Sequence, residues 1–250
     1  MKPEKSFFIC GTARSGTTLL ADLLKQTELA GDPREYFNHR GGRVWFGWDF
    51  SNYAEFVPRV IQETSTANGV FGCKMMAATL ENFEKRMRTV PGNESKSLRN
   101  IMDETFNNPH YIYLFRRDRL RQAISHEKMA QSGVAHQIGD KTMGTGSRRT
   151  AHYKYYRINR TLAELAYRES LLQEFFVECA IHPLILIYEE YIENQEETIR
   201  QVMNYIGIDL PESYQFTPSS MRKMSDQTSD TWIKQYKQDR QNRWLRKLFG

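Results

Sequence analysis

The stretch from Ser6 to Leu24, SFFICGTARSGTTLLADLL, constrains the fold of this chain more than any other. Ser6 to Cys10 is a short apolar run of the kind that forms a buried strand, and Leu19, Leu20, Leu23 and Leu24 fall on one face of a helix. Between them lie Gly11, Thr12, Ala13, Arg14, Ser15, Gly16, Thr17 and Thr18. A strand, a tight loop of small residues and a helix N-terminus make an anion site. The first-turn amides have no partner inside the helix, and the helix dipole favours negative charge there. Gly11 and Gly16 have the spacing of the Walker loop, G-x-x-x-x-G-K-[ST]. Thr17 stands where that loop has its lysine, and the cation sits inside the loop as Arg14. This argues against triphosphate chemistry and for a single phosphate-like group. An ordinary strand–turn–helix unit is the blander reading, but it leaves the glycine spacing, Arg14 and the paired threonines as coincidence.

Further along, Val70 to Met76 reads as a second buried strand, ending near Lys74. A lysine there points to the ligand crevice at the strand ends or snorkels to solvent. His110 to Phe115 is a third strand and runs into Arg116-Arg117-Asp118-Arg119-Leu120-Arg121, with Ser125 on the helix that follows. Four arginines in six residues suit a second phosphate, because Arg binds phosphate bidentately. A solvated basic helix start is the alternative, and it is poor electrostatics against the helix dipole. Pro183 to Tyr188 is a fourth strand. Strands and helices alternate, so the expected fold is α/β, a P-loop-like three-layer sandwich with a central, mainly parallel sheet flanked by helices.

Glu35 lies between Arg34 and the pair Tyr36-Phe37. A carboxylate so placed can be tuned as a base, although most such glutamates are solvated loop residues. The cluster Trp45, Phe46, Trp48, Phe50, Tyr53 and Phe56 could line a sugar pocket, form a dimer face or be satellite core. Residues 131–153, rich in glycine and poor in apolar residues, read as a mobile loop within a single domain over residues 1–250. The net charge of +5 fits an anionic ligand, but acidic and basic residues interleave, so no nucleic-acid surface is called for. The expectation is a cytoplasmic protein with no membrane span. Three isolated cysteines, Cys10, Cys73 and Cys179, have no metal or redox spacing.

Taken in order, these segments resemble the nucleotide-dependent sulfotransferases, and most closely the bacterial trehalose 2-sulfotransferase family. The resemblance rests on the TARSGTT loop, on Gly31, Pro33, Glu35, Tyr36 and Phe37, and on Phe71, Gly72 and Lys74. It rests also on the run Arg116 to Ser125, on Tyr188 to Glu190, and on Asp226 to Tyr236, so it covers nearly the whole chain. It implies 3′-phosphoadenosine 5′-phosphosulfate (PAPS) as donor, a sugar or glycolipid hydroxyl as acceptor, a homodimer and no metal. Thr12 to Thr18 would hold the 5′-phosphosulfate; Arg117 and Ser125 would hold the 3′-phosphate, helped by Arg222 and Lys223. The resemblance makes Glu35 the general base, with Arg14 and Lys74 stabilising charge on the sulfuryl and leaving groups. A P-loop nucleotide kinase and a non-catalytic nucleotide-binding module are the competing readings.

Overall fold

A computed structural model describes residues 2–39, 47–138, 141–144, 150–219 and 227–249, with backbone alone for 135–138, 141–144 and 244–249. In chain order its strands are β1 (Lys5–Gly11), β2 (Val70–Met76), β3 (His110–Phe115), β4 (Val134–Ile138), β5 (Lys141–Gly144) and β6 (Leu184–Ile187). The chain divides into two compact units, Met1–Phe115 with Arg168–Ser219, and Arg116–Tyr167 with Ser220–Gly250.

The first unit holds a four-stranded, all-parallel sheet in the order β2-β1-β3-β6. Its strands are apolar on both faces, as a sheet covered on both sides requires. Alternation along the strands sorts the side chains. Phe8, Cys10, Phe71, Cys73, Met75, Tyr111 and Tyr113 pack with α2 (Tyr53–Thr64), α3 (Leu80–Met87), α4 (Leu98–Phe106) and the end of α6 (Tyr155–Glu178). Phe7, Ile9, Ile112, Leu114 and Leu186 pack on the other face with α1 (Thr17–Lys25) and, after the short α7 (Tyr188–Tyr191), α8 (Gln195–Tyr205). This is the expected three-layer, P-loop-like α/β arrangement. β1 lies between β2, which follows it in the chain, and β3, so the chain departs to opposite sides from neighbouring strands. Ligands of open α/β sheets bind outside the carboxyl ends of the strands at such a switch point.

Helix α2 has no counterpart among the expected elements. Asn52 caps it, accepting from the Ala54 amide at 3.1 Å and donating to Glu55 Oε1 at 2.9 Å. It buries Tyr53 and Phe56, at 1% and 2% exposure, in the core, so the aromatic cluster is in this part satellite core rather than a sugar wall. Trp48 and Phe50 pack partly buried against that core, while Trp45 and Phe46 lie outside the described residues.

In the second unit, α5 (Arg119–Ser132), the start of α6 and α9 (Gln227–Phe249) enclose Ala123, Ile124, Ile158, Leu165, Trp232 and Tyr236. Trp232 and Tyr236, two residues of the resemblance near the chain end, are therefore core. The described part of 131–153 contains the antiparallel hairpin β4–β5 where a loop was expected. The Gln131 side chain clasps the His152 backbone, donating at 3.0 Å and accepting at 2.8 Å. Residues 139–140 and 145–149 lie outside the described residues. No helix among the described residues is long and apolar enough to cross a membrane.

Candidate active site

The loop between β1 and α1 has the geometry its glycines imply. Gly16 ends it at φ 99°, in the left-handed region, and leaves α1 without a side-chain cap. A Cβ at Gly16 would lie 2.5 Å from the Tyr188 ring, and one at Gly11 would lie 2.8 Å from Ser15 Oγ and 2.9 Å from the Leu114 carbonyl oxygen. Tyr188 belongs to the stretch that follows β6, and its contact with the loop could not be read from sequence. Ser15 Oγ donates to the Thr12 carbonyl at 2.8 Å and closes the turn. Thr12, Ser15 and Thr17 are buried, and Ala13, half-buried Arg14 (φ 65°) and Thr18 complete the rim. Thr17, in the place of the Walker lysine, turns its hydroxyl inward to Met76 Sδ at 3.9 Å. The uncapped first turn and the close-packed glycines leave backbone amides to meet an anion, which fits a phosphosulfate group.

Lys74 and Glu35 join this loop. Lys74 lies on the face of β2 that α1 covers, and its Nζ donates to Thr18 Oγ1 at 3.0 Å. The same ammonium pairs with Glu35 Oε1 at 3.2 Å; the two side chains are 8% and 21% exposed. Lys74 thus reaches the β1–α1 loop and does not snorkel, and Glu35 is no solvated loop residue. The pairing depends on backbone. Residue 34 forms an isolated parallel bridge with Cys73, and the Lys74 amide donates to the Arg34 carbonyl at 2.8 Å. The approach needs Gly31 and Gly72: a Cβ on Gly31 (φ 71°) would lie 2.8 Å from the Gly72 nitrogen, and one on Gly72 would lie 2.6 Å from Phe7 and 2.8 Å from Pro33. The glycines of the G-x-P-x-E and FG-x-K stretches are therefore two sides of one contact. Asp32 reinforces it, accepting from Arg34 Nε at 2.8 Å and Lys25 Nζ at 3.0 Å.

Arg117 and Ser125 belong to the second unit, where Arg117 is exposed and Ser125 is half-buried on α5. Asp118 caps α5, accepting from the Arg121 amide at 2.9 Å. The Arg121 guanidinium pairs with Asp118 at 3.3 Å and Asp230 at 2.8 Å, so the basic cluster has an internal counter-charge beyond Asp118. Arg116 is buried at 6% exposure. Arg222 and Lys223 lie outside the described residues. Among the described residues no group of three or more His, Cys, Asp or Glu could hold a metal ion. The three cysteines are buried and free, and burial holds the thiols of Cys10 and Cys73 far above their ordinary pKa, so neither is a thiolate nucleophile.

A protein-family model described as Stf0 sulphotransferase matches residues 6–239. The chain belongs to the Stf0 sulphotransferase family. This sulfotransferase is 25% identical over 260 residues to the trehalose 2-sulfotransferase of Mycobacterium tuberculosis strain Erdman, covering 93% of this chain and 94% of that one. It is 24% identical over 264 residues to the trehalose 2-sulfotransferase of Mycolicibacterium smegmatis, covering 94% and 96%. A crystal structure of a sulfotransferase from Alicyclobacillus acidocaldarius aligns with a TM-score of 0.49 at 13% identity, covering 94% and 92%. The fold assignment of this sulfotransferase rests on its own strand order and layers.

Proposed function

We propose that this sulfotransferase moves the sulfuryl group of PAPS to a carbohydrate hydroxyl, with trehalose the first candidate acceptor and Glu35 the general base. The observation that carries the reading is the placement of Lys74 Nζ, which touches both Thr18 of the anion loop and the Glu35 carboxylate. One ammonium therefore joins the place for the donor's phosphosulfate to the place for the acceptor's proton.

The donor supplies an activated sulfuryl group. Thr12 to Thr18 hold its 5′-phosphosulfate through the first-turn amides of α1 and the Thr17 and Thr18 region, with Arg14 adding charge. Arg117 and Ser125 are assigned to the 3′-phosphate on sequence grounds, with Arg222 and Lys223 as helpers. Glu35 takes the proton of the acceptor hydroxyl as that oxygen attacks sulfur, because an alcohol is a poor nucleophile until a placed base removes its proton. The new S–O bond forms as the bond from sulfur to the phosphate oxygen breaks. Lys74, Arg14 and the loop amides stabilise the charge that gathers on that oxygen. The nearness of trehalose 2-sulfotransferases over almost the whole chain supports a sugar acceptor.

The test is transfer of labelled sulfate from PAPS to a panel of trehalose, maltose and methyl glucosides, beside thermal shifts with adenosine 3′,5′-bisphosphate and with ATP and magnesium. Stabilisation by the bisphosphate and labelled trehalose are expected. A shift with the bisphosphate but no turnover on any sugar would favour the binding module. In a folded Glu35→Gln variant kcat falls about 10²- to 10⁴-fold with bisphosphate affinity kept; near-normal turnover removes Glu35 as the base.

A further inference from the structure

The turn that carries Glu35 returns a second side chain to it. The Asn38 amide donates to the Glu35 carbonyl at 3.0 Å, and Asn38 Nδ2 donates to Glu35 Oε2 at 2.7 Å. An ionised carboxylate only accepts, so the nitrogen of the Asn38 amide is the atom that faces it. Lys74 Nζ takes the other oxygen, Oε1. Between the two ends of the turn, Tyr36 and Phe37 are 0% and 1% exposed. The Tyr36 hydroxyl donates to the Asp32 carbonyl at 2.5 Å, and the Phe37 ring packs on Phe83 with centroids 4.9 Å apart. Two buried aromatics thus fix the turn that aims Asn38 at Glu35.

The Asn38 and Lys74 contacts on Glu35 do different work. An ammonium is a point charge on a flexible stem and fixes distance better than orientation. The last torsion of a glutamate is broad, so one contact leaves the carboxylate free to rotate. A second donor on the second oxygen removes that rotation.

We propose that Asn38 is a positioning residue for sulfuryl transfer: its side-chain amide, bonded to Glu35 Oε2, sets the plane in which the carboxylate meets the acceptor hydroxyl. This rests on Glu35 being the base. A general base must be held close to its productive geometry, and a neutral amide does this without adding a charge that would compete for the proton.

The experiment is a double-mutant cycle with Asn38→Ala, Glu35→Gln and the pair. PAPS is the donor, and the acceptor is whichever sugar of the panel wild type sulfates fastest. Asn38→Leu is measured alongside as a closer match in size, and far-UV circular dichroism and melting check the fold. Asn38→Ala and Asn38→Leu are expected to lower kcat roughly 10- to 100-fold, with donor KM and bisphosphate affinity unchanged. On the Glu35→Gln background the Asn38 substitution is expected to cost nothing further, because a residue acting through Glu35 has no base left to position. Unchanged kcat in both Asn38 variants, with Glu35→Gln impaired, overturns the proposal and leaves the base in place. An equal further loss on the Glu35→Gln background also overturns it, since Asn38 then acts elsewhere. Normal turnover by Glu35→Gln removes the base and the proposal together.

Discussion

Lys74 is a buried cation at 8% exposure whose two partners are a hydroxyl and a carboxylate. A pair this enclosed is weak evidence of stabilisation, because desolvation offsets much of the attraction. The proposed function predicts instead that the charge matters to turnover. Lys74→Met keeps most of the apolar stem and removes the charge. Its kcat is expected to fall about 10²- to 10³-fold, as on loss of one group that stabilises transition-state charge, with a modest change in melting temperature. A collapse in stability with normal kcat in the folded fraction would make Lys74 structural. Asp32 behaves differently. Burial alone would raise its pKa, but the hydrogen bonds and charges of Arg34 and Lys25 outweigh that and hold it below the ordinary carboxylate value. A depressed folded-state pKa contributes stability above the unfolded value, about 4, and that stability is lost as pH falls through the folded value. Asp32→Asn should therefore melt about 1–4 °C below wild type at pH 7, and the two curves should converge below pH 4. A gap that does not change with pH would refute this pairing.

At the level of elements, the segment before α2 and strand β2 are one device. Gly72→Ala would set a Cβ 2.6 Å from Phe7 and 2.8 Å from both the Ala30 carbonyl oxygen and Pro33. The expected cost is about 1–3 kcal/mol, and because the displaced segment carries Glu35, kcat should fall as well. Gly92→Ala is the control: its φ of 86° adds backbone strain, but nothing lies within 4 Å of the new Cβ, so it should lower melting with kcat unchanged. If the two variants behave alike in kcat, residues 31–35 are not held by that contact. The β1–α1 loop was legible in the sequence because strand, glycine spacing and helix are local and contiguous. The meeting of Lys74 and Glu35 was not, since it spans 39 residues and depends on a single backbone bridge. Helix α2 was hidden by Pro58 and by the run of aromatics before it. Its signal was the capping pair Asn52 and Glu55. The β4–β5 hairpin was hidden by the glycines around it, which read as loop.

For the whole molecule, alternation of apolar runs was enough to give a parallel sheet with helices on both faces. The strand order β2-β1-β3-β6 was beyond it, because order is set by which crossovers pass over which face. That order puts the β1–α1 loop at the switch point between β1 and β3. The chain also carries a net charge of +5. A donor with several negative charges should feel both the local site and this wider field, which salt screens over about 10 Å at 0.1 M. The affinity for adenosine 3′,5′-bisphosphate is expected to fall severalfold between about 20 mM and 300 mM salt, where the Debye length shrinks to less than half. Calorimetric titration at both concentrations would check it; a salt-independent affinity would mean that long-range charge contributes nothing to donor capture.

The bridge between Arg34 and Cys73 has a consequence for association as well as for chemistry. β2 ends the sheet on one side, and a rim of open peptide groups is a template on which a foreign strand can dock. Residue 34 occupies that rim at its Cys73–Lys74 step, and the amide of Lys74 is already spoken for. The segment that carries Glu35 therefore covers part of that rim against a foreign strand. Substitutions that loosen residues 31–36 should therefore cost colloidal solubility together with turnover.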